Sequence, residues 1–526
     1  MPANIVVISK ANADSGVTKG APNILFYKAL TEDCCGEDPH PVHGIESPDG
    51  GYLVAGKSLD SAGSWQGFIA KVGPTELKGT SIIDANSSSE LSWSYSFGEE
   101  GKREALNSIA ATGSSVYAAG LTTGVDGSPD RHLIRFDLVT GNIIWSLTLP
   151  DATPNTEGAI EVIRMTSDGG VLLGGVVNAP TETLEGFKSY GNPTGGQAFV
   201  MHFTAAQMNA STEPSAPTWS KVYDDSISVK DLRPLAEGGF VALASSKNEG
   251  DHLVKRMNER GDVLWSKGFT GSHGEGTAIA VMTTLNETVG IAFTGHRGDE
   301  GTIDGFLTRL NANDGTTVWD KTFGDPAGGV GRFAGLANGN PILIYDECWS
   351  VQATIDEGWV VGCGTGIEGC DLHAAGSAIR RECEADPRTT WRAMVTKFDS
   401  TGGLVWRRLD NFSEEGSDDV GPSACEHVAL TSDGGLLAVN DEGFGIGLMR
   451  LGLQGSDGSP SSESSSGTVM NTNQTPTQLQ TEAQTEMRTI AADSCNAFGQ
   501  SSSGAGLLLI AFFAVFVRRR MTSASF

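Results

Sequence analysis

The chain is poor in positive charge. Lysine and arginine total 36 against 64 aspartate and glutamate, a formal net charge of −28. A surface of that sign repels phosphate, so nucleic acid is set aside as a partner. It suits solubility in a salty or extracellular setting, with a cation or polycation partner as the alternative. Sustained helical periodicity is missing across residues 24–452, which argues against a helical fold. No Ser-His-Asp order, phosphate-binding loop or metal-binding helix motif occurs. The sequence therefore offers no catalytic residue, no metal ligand set and no cofactor site. Gly324–Gly339 is glycine-rich, but without a strand-Gly-x-Gly-helix context it reads as a loop. Residues 1–20 carry no basic-then-apolar export signal, so the expectation is a signal lying upstream of Met1, with export by another route or a tail-anchored cytosolic protein as the alternatives.

What is plentiful is glycine, 69 residues, many of them in Asn-Gly, Asp-Gly and Gly-Gly pairs that mark tight turns. Seven times a short apolar run ends in a basic residue followed by another apolar one. The basic residues are Lys71, Arg135, His202, Lys255-Arg256, Arg309, Lys397 and Arg450. Upstream of most runs stands a turn such as Ser47-Pro48-Asp49-Gly50-Gly51 or Thr431-Ser432-Asp433-Gly434-Gly435, then a short apolar strand. Downstream comes a turn and a tryptophan: Gly141, Gly261, Gly315 and Gly402 each precede Trp145, Trp265, Trp319 and Trp406 by four residues. Trp93 and Trp219 hold the same place without the glycine.

Four short strands per unit, seven units, is the composition of a propeller. The recurring tryptophans read as packing plates between blades. The recurring basic residues read as partners of nearby acids, with convergence on a central axis as the rival. The seventh unit, residues 426–452, supplies only three strands, and Ile24–Leu30, with Phe26 in place of tryptophan, supplies the fourth. The expected fold is an all-β, seven-bladed β-propeller over 24–452, closed by an N-terminal strand after an extension at 1–23. Closure removes exposed sheet edges.

Phe136-Asp137-Leu138-Val139-Thr140-Gly141-Asn142-Ile143-Ile144-Trp145 resembles the repeat of the quinoprotein-type, pyrroloquinoline-quinone-like propellers, and Asn311–Trp319 and Asp399–Trp406 are weaker copies. The Asp-Gly-Gly turns followed by apolar strands also resemble bacterial surface propellers. The quinoprotein resemblance implies a propeller fold and, in the family's dehydrogenases, eight blades, a calcium ion and a catalytic aspartate. Seven blades and no assignable calcium ligands depart from that pattern. The vicinal pair Cys34-Cys35 matches it in one respect, because some such enzymes stack the quinone on a vicinal disulfide. The plainer reading is that one of the two tethers the closing strand.

Cys348, Cys363, Cys370 and Cys383 all fall in the sixth unit, which carries an extra loop at about 363–392. Two disulfides in an oxidising compartment are expected, in any of three pairings. A zinc site with His373 is the rival, though the spacings lack the close cysteine pairs of common zinc motifs. Cys425 opens the last unit, and a bridge to Cys34 or Cys35 would staple the ring.

From 453 to 503 the chain is rich in Ser, Thr, Gln and Asn, as in a disordered stalk. Gly504–Val517 is apolar for 14 residues, short of the roughly 20 that span a bilayer unaided, and Arg518-Arg519-Arg520 follows. The order Cys495, Gly-Ser spacer, apolar stretch, arginines resembles C-terminal sorting tails of the myxobacterial type. That resemblance implies anchoring at Cys495. The functional expectation is a non-enzymatic binding module on the cell surface, membrane-attached through its tail, with a protein or polysaccharide ligand. The alternative is a secreted quinone-dependent dehydrogenase.

Overall fold

The computed structural model describes residues 8–10, 21–30, 35–73, 79–83, 91–151, 153–180, 195–248, 251–270, 275–284, 287–298, 303–324, 345–366, 381, 391–410, 412–414, 423–442 and 445–452. The expected stalk, the apolar tail and Cys495 lie outside them.

Seven antiparallel sheets form a seven-bladed propeller. The innermost strands are, blade by blade, Glu37–Glu46, Ala105–Thr112, Glu157–Met165, Ser226–Pro234, Glu275–Thr283, Tyr345–Ala353 and Ser423–Leu430. Each packs beside the next, and Ser423–Leu430 returns to Glu37–Glu46. Second strands such as Val171–Ala179 are buried along nearly their whole length, because a neighbouring blade covers each face. Every gap between blades holds its own apolar cluster.

Closure follows the expected route. Ile24–Leu30 pairs antiparallel with Gly445–Leu451, and Phe26 stands opposite Arg450. Phe26, Tyr27, Ala29 and Leu30 are all buried, and each large side chain among them contributes roughly 1.5–3 kcal/mol. A fifth strand, Gly79–Ile83, arises between the third and outer strands of blade 1 and pairs in parallel with the closing strand. Ile8–Lys10 pairs with Phe412–Glu414.

The recurring basic residue and the recurring aromatic are cross-strand partners in every blade. The pairs are Lys71–Trp93, Arg135–Trp145, His202–Trp219, Arg256–Trp265, Arg309–Trp319, Lys397–Trp406 and Arg450–Phe26. The basic residues sit on third strands, two strand spacings of about 4.8 Å out from the innermost, so they do not converge on the axis. Most bind the acid of their own blade's first turn: Lys71 to Asp49, Arg256 to Glu237 at 2.6 Å, Lys397 to Asp356, Arg450 to Asp433. Several also donate to a carbonyl of the next blade, as Lys71 to Leu138 at 3.0 Å, Arg256 to Ala312 at 2.8 Å and Arg309 to Ser400 at 2.8 Å.

The tryptophans occupy the same seams. Trp93 donates to Leu138 O and Trp319 to Ser400 O, both at 3.0 Å. The glycine before one blade's tryptophan lies against the indole of the blade before: Gly141 on Trp93, Gly261 on Trp219, Gly315 on Trp265, Gly402 on Trp319. All four have positive φ, and a Cβ on any of them would meet the ring. In blade 3 a short helix, Ala205–Met208, capped reciprocally by Thr204 and Gln207, replaces that turn.

All seven innermost strands break register at an equivalent place, leaving a bulged residue: Val42, Asn107, Glu161, Lys230, Thr277, Trp349 and Glu426. A bulge frees backbone groups from the ladder, and they must find other partners. Here they bond across the seams. The side chain just after one blade's bulge accepts the backbone N–H two residues after the bulge of the next blade. The bonds are Ile109 N to His43 Nδ1 at 3.2 Å, Ile163 N to Ser108 Oγ at 3.2 Å, Ile279 N to Asp231 Oδ2 at 2.9 Å, Val428 N to Ser350 Oγ at 2.9 Å and Gly44 N to His427 Nδ1 at 3.3 Å. Val162 and Ala278 cannot accept. Between blades 3 and 4 the buried pair Arg164–Asp231, 2.9 Å, bridges instead.

Candidate functional site

The two ends of the ring differ. The turn end holds the links from first to second and from third to outer strands. These are tight, repetitive turns apart from 73–90 and the helical segment of blade 3. The loop end holds the links from second to third strands and from each blade to the next. The long excursions 180–196, 324–344, 367–391 and 411–422 all leave from there. Gly452, the last described residue, lies at the turn end, where its N–H bonds Asn23 O at 3.0 Å.

Carboxylates stitch the loop end of blades 1 to 3. Asp60 accepts from Ala62 N and Ser64 N in its own turn and from Gly101 N in the link to blade 2, at 2.7–2.9 Å. Asp126 does the same for Ser128 N and Asn155 N. Arg103–Glu157, 2.6 Å, and Arg131–Asp151, 3.2 Å, tie the second blade to the third. Glu104 is buried, and its burial pushes it up to about 7.

At the seam of blades 7 and 1 a denser group gathers. His40 Nδ1 lies 2.6 Å from Asp441 Oδ2. Burial lowers its pKa, but Asp441 and Asp38 outweigh that and raise it to about 9. Lys57 sits over the Trp65 ring at 4.1 Å, and His40 meets the same ring edge-on. On the other face of blade 7, toward blade 6, Tyr27 of the closing strand donates to Glu442 at 2.7 Å. Burial holds Glu442 up at about 8. Trp349, a bulged residue, pairs with half-buried Trp391 at 6.3 Å beside the sixth-blade excursion.

The cysteines resolve in part. Cys348 and Cys363 are directly opposed across the first two strands of blade 6 and form a disulfide. Cys35 is disulfide-bonded. Cys34, Cys370, Cys383 and His373 lie outside the described residues. The expected staple from Cys425 is not formed: Cys425 is a free, buried thiol. It packs between blades 6 and 7, whereas Cys35 packs between blades 7 and 1, so a sheet separates them. Cys363 points into the gap between blades 5 and 6, again across a sheet from Cys425. Burial and the nearby Glu426 and Glu442 hold the Cys425 thiol well above its ordinary pKa, so it stays protonated and inert.

Trp93, Trp145 and Trp406 are buried and Trp219, Trp265 and Trp319 half-buried, all on outer strands at the seams. Among the described residues, Trp145, Trp265 and Trp406 meet no acceptor for the indole N–H there. Tyr223, bonding Gly261 O at 2.9 Å, makes the seam contact in blade 3. No local signal marks the bulge ring, His43 and His427, or the Trp349–Trp391 pair, because each arises from register between distant strands.

Among the described residues no three His, Cys, Asp or Glu side chains converge as a cation site requires. They offer no ligand set for the calcium ion that the quinoprotein resemblance implies. Among them, too, no helix is long and apolar enough to cross a membrane.

No protein-family model and no curated protein matches the chain in sequence. Several solved structures are similar to it. BamB from Moraxella catarrhalis is 9% identical, over 85% of this chain and 100% of its own, with a TM-score of 0.34. Sqt1 from Chaetomium thermophilum, bound to the N-terminus of ribosomal protein L10, is 11% identical over 82% and 100%, at 0.38. A europium-containing methanol dehydrogenase is 10% identical over 77% and 83%, at 0.37. Likeness at this level assigns no role to the chain.

Proposed function

We propose that the protein is a non-enzymatic binding module of the cell envelope that presents the loop end of its propeller to a protein or polysaccharide. One observation carries the reading: the long excursions share one end of the ring, while the chain continues toward its apolar tail from the other. A module tethered through residues 453–526 directs its loops away from the tether. The repeated seam bonds make the ring a rigid support, the usual setting for recognition loops. The anchoring role of Cys495 and the apolar stretch belongs to the same proposal.

The test replaces residues 367–390 by a short turn and compares retention of envelope proteins and polysaccharides on the immobilised full chain. Loss of a ligand that the unaltered chain retains supports the reading. Identical retention, or none by the unaltered chain, counts against it. The quinone-dehydrogenase alternative predicts instead a quinone absorbance in the protein as purified and dye-linked oxidation of alcohols or sugars. It draws on the repeat resemblance and on the disulfide-bonded Cys35 at the loop end.

A further inference from the structure

We propose that the seam where the ring closes is an acid-labile latch, opened by protonation of the stacked His43–His427 pair. The two imidazoles face each other across blades 1 and 7 with ring centroids 4.4 Å apart, and their side chains are sealed from solvent. Each uses Nδ1 to accept a backbone N–H of the next blade, His427 from Gly44 and His43 from Ile109. The ring proton of each therefore sits on Nε2. A second proton must go to Nδ1, where it turns an acceptor into a donor facing a donor. Two seam bonds are lost together, and two cations arise side by side where water cannot reach them.

The other junctions built on the same pattern use Ser108, Ser350 and Asp231, the last held between Arg164 and Arg233. Histidine is the one side chain among these acceptors that ordinarily changes charge between pH 5 and 8. It occurs only at the closing seam and the junction beside it. The seam is also where blade 7 is assembled from both parts of the chain, Ile24–Leu30 being joined to it by hydrogen bonds rather than by a turn.

Charged and titratable groups stand on most of the surrounding elements. Glu426 and Cys425 precede His427 on its strand, and Glu37, Asp38, His40 and Glu46 lie on the strand of His43. Lys57 is on the second strand of blade 1, and Asp441 and Glu442 are on that of blade 7. Lys28 and Tyr27 are on the closing strand, and Glu157, Glu161 and Arg164 are on the inner strand of blade 3. Ala105–Thr112 carries none. Glu426 and Asp441 favour the proton and Lys57 opposes it, but none of them restores the two backbone bonds. With Nδ1 accepting and the ring proton on Nε2, the proposed closed state holds both imidazoles neutral, and they take up protons on opening. Closure is therefore favoured above their ordinary pKa of about 6.5 and weakens as pH falls below it. With two groups, the closure constant drops by up to ~100-fold per pH unit.

The test uses the full chain and the variants His43→Ser and His427→Ser, singly and together, serine being what the ring itself places at this position in blades 2 and 6. Urea midpoints are taken from pH 7.5 to 5, and hydrogen exchange, corrected for the intrinsic rate, at pH 7 and 5. The latch predicts that the unaltered chain at pH 5 loses protection selectively in 24–30 and 423–451 while 226–257 stays protected. It also predicts that the double variant loses less of its midpoint on acidification. Uniform protection at pH 5, or the same pH profile in chain and variant, overturns it. If the double variant does not fold, the exchange pattern of the unaltered chain decides alone.

Discussion

Gly141→Ala is expected to destabilise the ring by about 2–5 kcal/mol, from two sources that can be separated. Gly141 has φ +71°, where a Cβ costs about 1–2 kcal/mol. That Cβ would also lie 2.6–2.7 Å from Cδ2 and Cγ of Trp93. The indole cannot retreat freely, since its N–H is bonded to Leu138 O and its ring stacks near Phe136 at 6.0 Å. Overpacking of this kind costs typically about 1–3 kcal/mol. Gly127 supplies the control: its φ is +88°, but a Cβ there meets nothing within 4 Å. Gly127→Ala should therefore carry the backbone cost alone. Urea denaturation of both variants, followed by tryptophan fluorescence, measures the difference. Equal midpoints would refute the idea that the recurring glycine exists to admit the neighbouring blade's tryptophan.

Removing residues 1–33 takes away the closing strand and should sharply lower solubility and melting temperature; an unchanged melting temperature would contradict the closure seen here. Tyr27→Phe removes the bond to Glu442, for an expected loss of about 1–3 kcal/mol in urea denaturation. His40 has a folded-state pKa near 9, above its unfolded value of about 6.5, so its pairing with Asp441 stabilises fully below pH 6.5 and ceases to do so as pH rises through 9. The stability gap between the unaltered chain and His40→Gln should shrink over that window. A non-reducing peptide map should join Cys348 to Cys363 and recover Cys425 as a thiol alkylated only after unfolding. Losing a bridge that spans 15 residues should cost about 3 kcal/mol.

Repetition made the fold legible. A basic residue and a tryptophan recurring at blade spacing are local signals, and each falls where cross-strand pairing needs it. Phe26 could be matched to the same place because Ile24–Leu30 keeps the pattern of the outer strands. The bulge ring was hidden, since Asn107, Glu161 and Lys230 share no chemistry and are equivalent only through register. Gly79–Ile83 was hidden too, as a parallel pairing leaves no turn signal. Cys425 was misjudged because closeness along a strand does not reveal which face of the sheet a side chain takes. Function was least legible: the excursions at the loop end are the parts that do not repeat.

The most direct test of the binding account is to crosslink the full chain to an envelope extract with a short amine- and carboxyl-reactive reagent and map the joined residues. The account predicts crosslinks confined to the loop end, in 180–196, 324–344, 367–391 and 411–422. Crosslinks clustered at the turn end, around Asp49, Asp168, Asp356 and Asp433, would contradict it.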